Sequence, residues 1–117
     1  MATILCLASA ANTASGVTGP LPTDSVTELA VDANVTTITG GTSPSITFYL
    51  DRFGADGVWY RMWTSAAVIV AGSVSTSVDP NGGATDAVLT DACRFGWTFG
   101  GTVAATSITF SASVVVR

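Results

Sequence analysis

The stretch Ser45-Ile46-Thr47-Phe48-Tyr49-Leu50-Asp51-Arg52 decides the fold class. Ile46, Phe48 and Leu50 fall on one side of an extended chain, and Thr47, Tyr49 and Asp51 fall on the other. That period of two is the mark of a half-buried strand. Gly54-Ala55-Asp56-Gly57 follows with the residues of a hairpin turn, and residues 58–64 return. Strict alternation on the returning strand puts Trp59, Arg61 and Trp63 on one face and Val58, Tyr60 and Met62 on the other. Large side chains on both faces predict burial on both sides, inside the fold or at an interface.

The same pattern recurs in both directions from this hairpin. Residues 3–8 read as a first strand. Residues 9–25 form an arm rich in Ser, Gly and Pro, with Gly19-Pro20-Leu21-Pro22 at its centre, where two prolines break any ladder. Residues 27–39 are extended, with a bend or bulge in the middle, and Gly40-Gly41-Thr42-Ser43-Pro44 is a turn. Beyond the hairpin, residues 67–71 and 73–78 predict one or two strands around Gly72. Asp79-Pro80-Asn81-Gly82-Gly83 is the strongest turn signal in the chain, and a loop with a short helical turn runs on to Thr90. Residues 92–99 place Cys93, Phe95, Trp97 and Phe99 inward, and residues 106–117 alternate Ile108, Phe110, Ala112, Val114 and Val116 against Ser and Thr.

No stretch keeps helical spacing beyond about a turn, and β-branched residues dominate. The expectation is one all-β domain over residues 1–117. It is a single antiparallel β-sandwich, jelly-roll or immunoglobulin-like, of about seven to eight strands, with residues 1–25 as a strand plus an extended arm. The Cys…Trp…Cys spacing of a true immunoglobulin domain is missing. A chain of 117 residues is long enough for a core without staples.

Composition narrows function. The chain has no His, its four cations are all arginines, and it carries one Glu and seven scattered Asp. Most catalysis near neutral pH draws on His, Lys or clustered carboxylates, so this inventory argues against an enzyme. The net charge of −4 and four dispersed arginines argue against nucleic-acid binding, which needs basic patches. Mean hydropathy is high at +0.53. Yet no apolar run approaches the ~20 residues of a membrane helix, and the longest, Ala66-Ala67-Val68-Ile69-Val70-Ala71, is strand-sized. High hydropathy without a membrane span points to apolar surface covered by partners. Residues 1–10 imitate a secretion signal but lack its positive start and full apolar run, so the Asn34-Val35-Thr36 sequon reads as incidental.

Several groups invite a site, and each has an ordinary explanation. Asp79, Asn81 and Asp86 share a Gly-rich loop that offers oxygen ligands for calcium, but the closing Glu of a calcium loop is absent and such residues are common in plain turns. Asp51 and Asp56 flank a hairpin and read as turn residues rather than an acid–base pair. Cys6 and Cys93 read as thiols that behave as small hydrophobes. No metal or cofactor is implied. Trp59, Arg61, Trp63 and Trp97 could form an aromatic platform. Trp97 is assigned to the core; Trp59 and Trp63, with Arg61 stacked on a ring or reaching an acidic partner, are assigned to core or interface. Trp59, Arg61, Trp63, Pro20, Leu21 and Pro22 are the candidate interface residues.

Three stretches together carry a resemblance. The first is Ala8-Ser9-Ala10-Ala11-Asn12-Thr13-Ala14-Ser15-Gly16. The second is Gly41-Thr42-Ser43-Pro44-Ser45-Ile46-Thr47-Phe48-Tyr49-Leu50 with Asp56-Gly57-Val58-Trp59-Tyr60. The third is Cys93-Arg94-Phe95-Gly96-Trp97-Thr98-Phe99-Gly100-Gly101-Thr102 with Ser107-Ile108-Thr109-Phe110-Ser111-Ala112. Their order resembles small virion structural proteins of tailed actinobacterial bacteriophages, most of all minor capsid or head decoration proteins. The resemblance implies a protein of the virion surface whose partners are the major capsid protein and itself, as a homo-trimer. It implies no active site. A tail or baseplate protein shares this assembly logic, and a carbohydrate-binding module is the reading that exposed, coplanar Trp59 and Trp63 would favour.

Overall fold

The computed structural model describes residues 2–78, 90–102 and 106–117. Among these residues nine strands are present: β1 (Ala2–Asn12), β2 (Gly16–Val17), β3 (Leu21–Pro22), β4 (Leu29–Thr39), β5 (Thr42–Phe53), β6 (Trp59–Thr64), β7 (Gly72–Val78), β8 (Ala92–Thr102) and β9 (Ser107–Val116). They form two antiparallel sheets. One has the order β1-β9-β4-β7; the other runs β2-β8-β5-β6, with β3 also on β8. The chain changes sheet between β1 and β2, β3 and β4, β4 and β5, β6 and β7, β7 and β8, and β8 and β9. This interleaving of two four-strand orders is the topology of a jelly roll, one of the two sandwiches that the strand pattern allows.

Alternation fills the interior from both sides. In β9, Ile108, Phe110, Ala112, Val114 and Val116 are buried while the residues between them are half-buried; in β4, Leu29, Val31, Ala33 and Val35 do the same. The facing sheet contributes Ile46, Phe48 and Leu50 from β5 and Cys93, Phe95 and Phe99 from β8. Aromatic rings join the two layers. Phe48 stacks on Phe95 with centroids 5.7 Å apart, and Phe110 of the opposite sheet meets Phe48 edge-on at 5.1 Å and Trp97 at 5.2 Å. The bulge expected in the middle of residues 27–39 lies between Val35 and Thr37, where the β4–β9 register shifts.

One corner shows why glycine is needed. Gly41 and Gly101 have φ of 64° and 77°, in the left-handed region. A Cβ on Gly41 would collide with the Thr102 carbonyl oxygen, and one on Gly101 with the Ser43 carbonyl oxygen. The β4–β5 turn and the end of β8 therefore press backbone on backbone.

Three local expectations change. The arm of residues 9–25 is laid along β8 rather than being free of pairing. β1 extends through Asn12, and Pro20 and Pro22 split the remaining ladder into the two-residue strands β2 and β3, which is what proline does at a sheet edge. Side chains supply the missing bonds: Phe95 N donates to Thr18 Oγ1 at 3.1 Å, Phe99 N to Ser15 Oγ at 2.9 Å, and Trp97 Nε1 to the Ala14 carbonyl at 3.0 Å. Second, residues 67–71 make only an isolated bridge, Val68 with Ile46, and leave Ile69 and Val70 exposed. Third, the β5–β6 register slips between Leu50–Trp63 and Asp51–Arg61, so Met62 is an extra residue in β6. The bulge breaks the alternation on which Trp59, Arg61 and Trp63 shared a face. The turn at Asp79-Pro80-Asn81-Gly82-Gly83 and the loop to residue 89 lie outside the described residues.

Phe110 is the ring common to both layers, and its truncation should be felt in full. Phe110→Ala is expected to lower unfolding free energy by about 3–5 kcal/mol, read as a fall in the urea midpoint at unchanged slope.

Candidate functional site

The outward face of β5 carries Tyr49, Asp51 and Phe53, which pair across the ladders with β6 and β8. Asp51 sits opposite Arg61 on one side and Arg94 on the other, so strand register alone delivers two cations to one carboxylate. Arg61 Nε donates to Asp51 Oδ1 at 2.6 Å, and Arg94 Nε donates to Asp51 Oδ2 at 3.0 Å. Asp51 is only 3% exposed, although it lies on the outer side of its sheet. The two arginine side chains cover it while staying half-exposed (Arg61) and about one-third exposed (Arg94) themselves.

Each guanidinium also lies over a ring. Arg61 Cζ is 3.7 Å from the centre of Tyr49, and Arg94 Cζ is 4.5 Å from that of Trp59. Tyr49 settles there because its partner across the ladder is Gly96, where any Cβ would collide with the tyrosine ring. Trp59 is steadied by an edge contact with Phe53 at 5.0 Å. A cation over an aromatic face gains from the ring quadrupole, and planar arginine does so by stacking. The result is a rigid platform with one net positive charge, built from neighbouring strands.

The neighbouring hairpin is held by a second polar pair. Asp56 accepts from the Tyr60 hydroxyl and, at 3.1 Å, from Val58 N. The Tyr60 bond, and then the Val58 bond, hold the Asp56 carboxyl below its usual range; the same carboxylate pushes the Tyr60 hydroxyl up. The pairing is complete between the two ordinary pKa values. It is lost as pH falls through the lowered Asp56 value, or as pH rises through the raised Tyr60 value.

The other sequence candidates are dispersed. Trp63 pairs with Leu50 and packs against the core, on the opposite side of β6 from Trp59 and Arg61. Leu21 is buried in the core, whereas Pro20 and Pro22 beside it are exposed at the edge of β8. Asp51 and Asp56 do not converge: one is buried between arginines and the other is in the exposed turn. Asp79, Asn81 and Asp86 lie outside the described residues, and among those described no group of three His, Cys, Asp or Glu is placed to hold a metal ion. Cys6 is exposed on β1 and Cys93 is buried in the core, and the two are not bonded. Arg94 and Tyr49 are the members of the platform that sequence reasoning passed over. Their signal was a lone charge at 94 between inward-facing Cys93 and Phe95, of opposite sign to the outward-facing Asp51.

Two outcomes follow from these environments. Burial pushes the Cys93 thiol up to about 12, so an aromatic disulfide reagent at neutral pH should titrate Cys6 at once and Cys93 only after denaturation. Asp51→Asn keeps the shape but removes the shared charge. It should cost about 2–3 kcal/mol in urea unfolding and shift Trp59 fluorescence as Arg94 loses its anchor.

No family model matches this chain and no curated protein matches it, so the reading of its surfaces rests on their geometry.

Proposed function

We propose that this chain is a virion structural protein that decorates and stabilises a phage capsid, binding the outside of the major capsid protein lattice and associating with itself as a homo-trimer. The observation that carries the reading is the loop between β6 and β7. Ile69 and Val70 are 67% and 69% exposed there, in an uncharged apolar run, and are the most exposed large apolar side chains among the described residues. Adjacent large apolar residues held out in water mark a surface that a partner covers. The edges of the first sheet add to this. Neither β1 nor β7 carries a charged residue or a proline, the usual means of blocking association along a strand.

The architecture supports the same reading at the level of analogy, since jelly rolls build viral capsid domains and also lectins. Between those two, the placement of Trp59 and Trp63 favours the capsid reading. A sugar platform needs them side by side, and the Met62 bulge puts them on opposite sides of β6. Many weak, repeated attachments suit a decoration protein, because a lattice multiplies each contact through avidity and stabilises the bound state by mass action.

Co-sedimentation with phage heads stripped of this protein tests the proposal, with tails and bacterial wall glycans as parallel baits. The expected result is saturable binding to heads at a stoichiometry matching a capsid symmetry axis. The double variant Ile69→Ser, Val70→Ser should fold normally and bind at least about tenfold more weakly. Binding confined to tails or glycans would transfer the protein to those classes.

A further inference from the structure

The Arg61–Asp51–Arg94 cluster is more elaborate than stability requires. A carboxylate withdrawn from water, even beside arginines, is often no better than a well-packed apolar side chain of the same volume. Their arrangement leaves something over. Each arginine reaches Asp51 through Nε, and among the described residues no other residue accepts an Nη–H from either. With Nε engaged, the terminal edge of each guanidinium, with its two parallel N–H bonds, is left to grip a planar oxyanion bidentately. Here two such edges flank one carboxylate, and stacking on Tyr49 and Trp59 has fixed their planes. Their side-chain freedom is lost in folding rather than on binding, which favours a ligand.

The charge and surroundings select that ligand. The cluster holds one net positive charge, which a single carboxylate neutralises. The chain as a whole carries −4, so the attraction for an anion is local to this cluster rather than a property of the whole surface. Around the arginines stand Phe53, 39% exposed, and the half-buried Trp59. Arginine and aromatic residues at the centre of a partly apolar patch are the composition of a protein–protein contact. We propose that the outer face of β5, β6 and β8 is a binding site for a carboxylate side chain of an acidic protein segment, gripped by Arg61 and Arg94. Asp51 acts as a positioning residue that holds both guanidiniums edge-out. This site is separate from the Ile69–Val70 loop and stands whatever that loop binds.

The test uses the whole chain and an acetylated hexaglutamate peptide, followed through the arginine Nε–Hε resonances and Trp59 fluorescence at low salt. Inorganic pyrophosphate, a single-stranded oligonucleotide and vesicles containing phosphatidylglycerol are run beside it. Saturable shifts of the Arg61 and Arg94 resonances are expected with the peptide, while Arg117, paired with Glu28 elsewhere, stays unmoved. Arg61→Gln, at a half-exposed position that tolerates change, should weaken the peptide by about tenfold, and Arg117→Gln should not. Arg61→Lys keeps the charge without the fork and should fail to restore binding. The proposal is overturned if the peptide moves neither resonance, if Arg61→Gln binds as well as the parent, or if any of the three other anions binds more tightly than the peptide. The wild-type resonance map decides the matter even where a variant is unstable. Because no phage heads are present, a negative result here leaves the decoration reading untouched, and the head-binding experiment leaves this one untouched.

Discussion

The interior is held by a contact between layers. Phe110 rises from the centre of one sheet and meets Phe48 and Trp97 of the other, while Phe48 stacks on Phe95. Neither sheet has a second apolar partner, so every inward side chain of β4, β5, β8 and β9 depends on the spacing those rings set. Trp97 extends the dependence to the arm. The arm's Gly16 sits where a Cβ would collide with the Trp97 ring, and the Ala14 carbonyl takes the indole N–H. One aromatic cluster thus packs the core, fixes the sheet separation and fastens the strand-poor segment of the chain.

The outward face of the second sheet obeys a different constraint. Asp51 is drawn below the surface by its own partners, not by apolar packing. Cross-strand neighbours on β6 and β8 are set by register, and a one-residue slip would send the arginines to the wrong side. Placing the Met62 bulge next to this pair keeps Arg61 outside while turning Trp63 inward. The bulge therefore separates a packing residue from a surface residue within one short strand.

Much of this was legible from period-two patterning. β9, β5 and β8 read correctly because every second residue is large and apolar, and the turns at residues 40–44 and 54–57 carry their own signals. The Met62 bulge was not legible, since an extra residue is defined only against a partner strand, and Trp59-Tyr60-Arg61-Met62-Trp63 alternates well without one. The pairing of the arm was hidden for a related reason. Its prolines speak against a ladder, and the bonds that replace it come from the Thr18 and Ser15 side chains to a strand about 80 residues away. The platform needed two separate registers to be known, because Asp51 and Arg94 are distant in sequence and only β5–β8 pairing unites them.

The place of β9 in its sheet has a consequence for how the protein is made. β9 lies between β1 and β4, with Ala2 opposite Val116 on one side and Leu29 opposite the same Val116 on the other. Until residues 107–116 leave the ribosome, that sheet has a gap at its centre, and the facing edges of β1 and β4 have no strand to pair with. The β5–β6 hairpin can close early, its partners being a few residues apart. Contacts of such long sequence separation slow folding, and they leave strand edges open while synthesis continues. Nascent chains crowded on one message would be exposed to each other through those open edges until β9 fills the gap between β1 and β4.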